Sequence, residues 1–169
     1  RLDRVLDTED DTPNRYKASK QADVLMLFYL FSASELQEVF EGMGYPFSPE
    51  WIPRNVEYYR RRTSHGSTLS RLVHSWVLSR SDRARSYDEF ATALVSDYRD
   101  VQGGTTEEGI HLGAMAGTVD LVQRCYTGME VREDNLWFNP QVPDAMKHIV
   151  MRIRYRGNWL QVRIGHHDM

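Results

Sequence analysis

Three stretches hold residue types that can do chemistry together. The first is Arg61-Arg62-Thr63-Ser64-His65-Gly66-Ser67-Thr68, directly before an apolar stripe of Leu69, Leu72, Val73, Trp76 and Val77. Free N–H groups at a helix start, with hydroxyls and a glycine that permits close approach, form an anion site. His65 adds a hydrogen-bond donor or a positive charge. An ordinary Ser/Thr helix cap accounts for the same residues, so both readings stand. The second stretch is Lys20-Gln21, a cation beside an amide that can grip a polar ligand; a Lys stem lying along an apolar surface explains it equally. The third runs from Gly103 to His111. Its Glu107 and Glu108 suit a helix N-terminus, and His111 can be a hydrogen-bonded core histidine.

Other chemistries are poorly supported. The histidines at 65, 74, 111, 148, 166 and 167 show no zinc spacing, and His166-His167 reads as a solvated end. Gly103-Gly104 lacks the further glycines and the preceding strand of a nucleotide loop. The lone Cys125 sits among Val122, Tyr126 and Met129, which predicts a buried thiol, no internal disulfide and a reducing compartment. With 27% charged residues and a net charge of −3, the chain lacks the basic face that nucleic acid demands. The acidic cluster Glu9-Asp10-Asp11 reads as a solvated loop. The longest apolar run, Val24 to Phe31, is far shorter than the roughly 20 residues of a membrane helix. A cytoplasmic protein is expected.

The elements that must position these stretches are mainly helical. Ala18 to Phe31 is apolar nearly all round, as in a helix buried on every side. Ser34 with Gln37 suggests a capping box, and Gly42 and Gly44 end that helix. Ser48-Pro49 opens another, from Glu50 to Tyr59. After the Leu69 stripe, Ser86 with Glu89 suggests a second capping box, followed by Tyr87, Phe90, Ala91, Leu94, Val95 and Tyr98 on one face. Glu107 to Thr127 reads as one long helix whose Gly113, Ala114, Ala116 and Gly117 allow a neighbouring helix close. Beyond Gly128 the period becomes two: Ile149, Met151, Ile153 and Tyr155 alternate with polar neighbours. Gly157-Asn158 turns the chain, and Trp159 to Ile164 runs back. The opening Arg-Leu-Asp, without an initiator Met, and a final hairpin without further strands lead us to expect part of a longer polypeptide.

Taken in order, Lys20-Gln21-Ala22-Asp23, Arg62-Thr63-Ser64-His65-Gly66-Ser67, Gln102-Gly103-Gly104-Thr105-Thr106 and Glu108-Gly109-Ile110-His111-Leu112-Gly113-Ala114-Met115-Ala116-Gly117-Thr118 resemble glycoside hydrolase family 65. That family holds the maltose, trehalose, kojibiose and nigerose phosphorylases. The resemblance implies a mainly α fold. Residues 1–130 would be the last helices of an (α/α)6 catalytic barrel, and residues 131–169 the first strands of a truncated C-terminal β-sandwich. It implies an inverting reaction in which inorganic phosphate attacks an α-linked glucose disaccharide and releases β-glucose 1-phosphate plus glucose. Phosphate is then a co-substrate, and no cofactor or metal is needed.

By the same match, His65, Gly66 and Ser67 hold phosphate, with Ser64 or Thr63 in support, and Lys20 and Gln21 contact the sugar. Glu108 and His111 belong to the last motif without an assigned role. The family's general acid is a glutamate expected upstream of Lys20, and no residue here matches it, so this part alone is expected to be inactive. Family habit implies a homodimer. Two rivals remain: a trehalase-like hydrolase of the same family, and a non-catalytic carbohydrate-binding module. The hydrolase would need a second carboxylate to activate water, and Thr63 to Ser67 offers none.

Overall fold

The computed structural model describes residues 2–21, 23–104 and 106–166. Ala22, Thr105 and His167, each part of a stretch singled out above, lie outside the described residues. Helix α1 spans Leu2–Thr8, and a short 3-10 turn, Pro13–Arg15, follows with Thr12 as its cap. Then come α2 (Asp23–Leu30), α3 (Ala33–Gly42), α4 (Trp51–Arg60), α5 (Thr68–Leu78) and α6 (Arg83–Leu94). A 3-10 turn at Thr106–Glu108 precedes α7 (Leu112–Asp120), which continues as a wider π-helical turn over Leu121–Tyr126. Strands β1 (Glu130–Arg132) and β2 (Asn135–Trp137) form one antiparallel hairpin; β3 (His148–Tyr155) and β4 (Asn158–Gly165) form another. The fold is mainly α with antiparallel strands at its C-terminal end.

Helix α5 lies between two apolar clusters. Leu72 joins Phe90, Ala114, Leu121, Tyr126 and Ile149 on one side. Val73 and Leu78 join Leu25 and Val56 on the other. Gly117 of α7 brings that helix hard against α5, because a Cβ there would stand 2.6 Å from Leu72 Cδ1. Ala114 is also buried in this contact, whereas Ala116 faces outward. Polar bonds lock α5, α6 and the π-helical turn together. Ser75 Oγ donates to the Ser86 carbonyl (2.8 Å), Ser86 Oγ donates to the Ser75 carbonyl (2.6 Å), and the Tyr126 hydroxyl lies 3.1 Å from both serine hydroxyls. Buried polar groups are stable only when paired in this way.

Several boundaries differ from the sequence expectation, each for a local reason. The capping box of α3 is Ser32 with Glu35, two residues earlier than Ser34 with Gln37. Asp82 caps α6 through the Arg85 amide, which leaves Ser86 free to enter the buried network. Helix α2 starts only at Asp23, since Ser19 is held in a bridge to Thr63 and the Lys20 carbonyl accepts from the Gly66 amide. Helix α7 starts at Leu112, not Glu107, because Gly109 takes φ 92° and interrupts the turn. The second hairpin turns at Arg156-Gly157 (φ 49° and 81°), the left-handed pair a two-residue turn requires, rather than at Gly157-Asn158. It packs on the helices through buried Ile149. The β1–β2 hairpin, turned by Glu133-Asp134, had no counterpart in the sequence reading. No helix among the described residues is long and apolar enough to cross a membrane.

Candidate active site at the N-terminal end of helix α5

The loop before α5 is pinned by Ser19 and Lys20. Ser19 and Thr63 form a parallel bridge: the Ser19 amide donates to the Arg62 carbonyl (2.9 Å) and the Ser64 amide to the Ser19 carbonyl (2.9 Å). The Gly66 amide donates to the Lys20 carbonyl (2.8 Å). Gly66 is needed there, because a Cβ would stand 2.8 Å from Lys20 Cγ. The structure therefore brings Lys20-Gln21 and the His65 loop into one unit, although 45 residues separate them. The Ser64 hydroxyl also donates to the Ser19 carbonyl (3.2 Å), so Ser64 and the Gly66 amide are engaged in scaffolding. The amides of His65, Ser67, Thr68 and Leu69 make no backbone hydrogen bond among the described residues. Those of Thr68 and Leu69 are the open first turn of an 11-residue helix. Between the two pinned amides, His65 takes φ 51°, a left-handed conformation that few non-glycine residues adopt.

The His65 ring meets a second histidine. His65 and His74 pack edge to face with ring centroids 4.6 Å apart. His65 Nδ1 is 3.0 Å from the Ser70 hydroxyl, and His74 Nδ1 is 2.8 Å from the Ser70 carbonyl. Burial, reinforced by the neighbouring His74, pushes His65 down from 6.5 to about 4. Burial also lowers His74. Both rings are neutral at neutral pH, so His65 acts there as a dipolar donor, not a fixed cation. The Arg71–Glu89 ion pair (2.8 Å) lies close enough to act on both rings with opposing signs.

Beside the His65 loop, a cavity of about 100 Å³ is lined by Gln21, Asp23, Met26, Leu69, Ser70 and Val73. The carboxylate in that lining, Asp23, accepts a 2.7 Å bond from the Gln21 amide and so orients it. A wider groove of about 570 Å³ on α4 is lined by Arg54, Arg61, Arg62, Glu57 and neighbours. Glu57 pairs there with Arg60 and Arg61, and those guanidinium groups bring its carboxyl down to about 2.

The third stretch lies at the start of α7, next to α5: the nearest atom to a Cβ built on Gly113 would be Leu69 Cδ2, at 4.0 Å. His111 is held twice by Asp97, through its amide (3.0 Å) and through Nδ1 (2.8 Å), while Nε2 lies 3.3 Å from Glu108. The bond to Asp97, then that to Glu108, raises the His111 pKa. Asp97 escaped the sequence reading. Its partner is 14 residues away in a loop, and its only sequence signal was an acid inside the Tyr87–Tyr98 stripe. His74 escaped it as well, having been counted only among histidines without zinc spacing. Cys125 is buried, which pushes its thiol up to about 12 and leaves it unreactive. Among the described residues no group of three or more His, Cys, Asp or Glu is placed to hold a metal.

Comparison with known families agrees with the motif order. The model of the glycosyl hydrolase family 65 central catalytic domain matches residues 1–120. The model of that family's C-terminal domain matches residues 129–169. The chain belongs to glycosyl hydrolase family 65. This family 65 chain is 53% identical, over 98% of its length, to an uncharacterised glycosyl hydrolase of Mycobacterium tuberculosis. It is 34% identical over 97% of its length to a trehalose 6-phosphate phosphorylase of Lactococcus lactis. It is 31% identical over 89% of its length to a kojibiose phosphorylase of Caldanaerobacter subterraneus. It spans 12%, 22% and 18% of those three relatives, respectively. A solved structure of a candidate kojibiose phosphorylase from the human microbiome superposes with a TM-score of 0.67 at 26% identity, covering 88% of this chain and 19% of that one. The helices thus correspond to part of the family's helical barrel, and the strands to its C-terminal sheet domain.

Proposed function

We propose that this chain supplies the phosphate side and part of the sugar side of an active site for inverting phosphorolysis of an α-linked glucose disaccharide. The products are β-glucose 1-phosphate and glucose. Residues 1–130 complete the catalytic barrel in this reading, and residues 131–169 open the C-terminal domain. One observation carries it: the open amides of His65, Ser67, Thr68 and Leu69, with the His65 imidazole, stand beside a Lys20-Gln21 segment bonded to the same loop.

The chemistry suits that arrangement. An inverting hydrolase needs a carboxylate to activate water. A phosphorylase uses phosphate itself as nucleophile, and a free carboxylate there would repel the dianion. Neutral donors at a helix N-terminus attract it instead. His65, Ser67 and the first-turn amides of α5 hold the oxyanion; Ser64 and Gly66 shape the loop against Ser19 and Lys20. Lys20 and Gln21 contact the sugar, with Asp23 orienting the Gln21 amide. The leaving oxygen takes its proton from a glutamic acid that this chain does not contribute. The lone, buried Cys125 is compatible with a reducing, cytoplasmic setting.

The relatives named above suggest which substrates to try. The complete protein is incubated with inorganic phosphate and trehalose, kojibiose, maltose or trehalose 6-phosphate, and the sugar phosphate formed is identified. Formation of β-glucose 1-phosphate that depends on phosphate supports the proposal. Free glucose released equally without phosphate would establish hydrolysis instead, and no turnover of any α-glucoside would leave a carbohydrate-binding module.

A further inference from the structure

We propose that Ser70 is a positioning residue for His65: its hydroxyl donates to Nδ1 and fixes the imidazole in the Nε2–H tautomer. Ser70 is only 2% exposed, and the contact its hydroxyl makes among the described residues is the 3.0 Å approach to His65 Nδ1. A buried hydroxyl proton requires an acceptor, and a neutral imidazole offers one lone pair. If Nδ1 carried the ring proton, the hydroxyl would have to accept, and its own proton would have no partner. Among the described residues, only the Nε2–H form gives both groups a partner.

The rest of the cluster holds Ser70 still. Its amide donates to the Ser67 carbonyl (3.1 Å). Its carbonyl lies 2.8 Å from His74 Nδ1, and a carbonyl can only accept, so the His74 proton must sit on Nδ1. His74 Nε2 is correspondingly bare, and it is a buried atom without a partner. The two edge-to-face rings therefore carry opposite tautomers, both set by one serine. His65 Nε2 makes no hydrogen bond to a described residue, so its N–H remains for a ligand. The consequence for catalysis rests on the reading of His65 as an oxyanion contact: the wrong tautomer would present a lone pair to a negative oxygen.

Two measurements test this. In the first, the complete protein is labelled with ¹⁵N histidine, and long-range proton–nitrogen NMR reads each ring at neutral pH without phosphate. We expect a bare Nδ1 and a protonated Nε2 on His65, favoured about tenfold or more. The Ser70→Ala variant should shift toward a mixture. An Nδ1–H tautomer in the native protein, or an unchanged ring in Ser70→Ala, overturns the proposal. In the second, initial rates are measured with inorganic phosphate and the disaccharide that turns over. Ser70→Ala should raise KM for phosphate by about tenfold and leave KM for the disaccharide unchanged. In a His65→Asn background, which has no tautomer to fix, Ser70→Ala should add less than about twofold. An equal effect in both backgrounds overturns the proposal. If His65→Asn alone leaves KM for phosphate unchanged, it is the phosphate reading that fails, and the NMR result still decides the role of Ser70.

Discussion

Replacing His65 with asparagine removes a titrating ring at a position where the backbone must hold φ 51°. Asparagine tolerates that conformation better than most residues, so the substitution probes the ring rather than the loop. The native ring is pushed from 6.5 to about 4 because burial and His74 both oppose its charge. The folded value lies below the unfolded one, so the unfolded chain binds the extra proton. The stability contributed by the neutral ring is full above 6.5 and is lost as pH falls toward about 4. Each pH unit across that window is worth about 1.4 kcal/mol. Allowing for solvent at a half-buried ring, about 2 kcal/mol should be lost. The assay is urea unfolding of native and His65→Asn protein at about pH 7 and about pH 4.5, with the two differences subtracted. The carboxylates and His74 are present in both proteins and largely cancel. His65→Asn should lose about 2 kcal/mol less than the native protein on acidification. Equal losses would refute the claim that this ring is held neutral by its surroundings.

Two further perturbations probe the scaffold. Gly117→Ala places a Cβ 2.6 Å from Leu72 Cδ1 in a packed interface; it should destabilise the fold by about 1–3 kcal/mol, read as a lower urea midpoint. Asp97→Asn removes the largest influence raising His111. The His111 titration midpoint, followed by NMR, should fall toward its ordinary value. The sign for stability is opposite to that at His65, because a raised histidine contributes below its unfolded value of 6.5 and loses that contribution as pH rises through the folded value.

What the sequence revealed follows from range. The stripes of α5 and α6 and the alternation of β3 are periodic over many residues. The alternation of β3 is matched by its burial, whereas the stripes of α5 and α6 are matched only in part: Leu72, Val73 and Phe90 are buried, but Leu69, Leu94 and Tyr98 are exposed. Boundaries depended on single bonds to distant partners. Lys20 looked like the start of a helix by composition, yet the bridge from Ser19 to Thr63 and the bond from the Gly66 amide to the Lys20 carbonyl tie this segment to the loop and delay α2 to Asp23. Ser86 looked like a cap because its type suits one, but Asp82, four residues earlier, accepts from the Arg85 amide, and the Ser86 hydroxyl is given to the Ser75 carbonyl. The strands of β1 and β2 have three residues each, too few for any period to emerge.

The candidate site shows the same division. Motif residues 20–21 and 63–67 were legible as chemistry, but which of their groups remain available was not. That depends on pairing across 45 residues, which commits the Ser64 and Gly66 amides to the carbonyls of Ser19 and Lys20. This commitment has a mechanical consequence. Because the Gly66 amide is bonded to the Lys20 carbonyl, and the glycine lies flush on the lysine stem, the loop cannot move without moving the Lys20-Gln21 segment. In the proposed reaction, phosphate must meet the anomeric carbon within a few tenths of an ångström of its productive position. A direct backbone link between the proposed phosphate loop and the proposed sugar-contacting pair fixes that separation more tightly than two independent loops would. The strained His65 backbone is then understandable: it lies between the two pinned amides, where the chain must turn from scaffold to open donors.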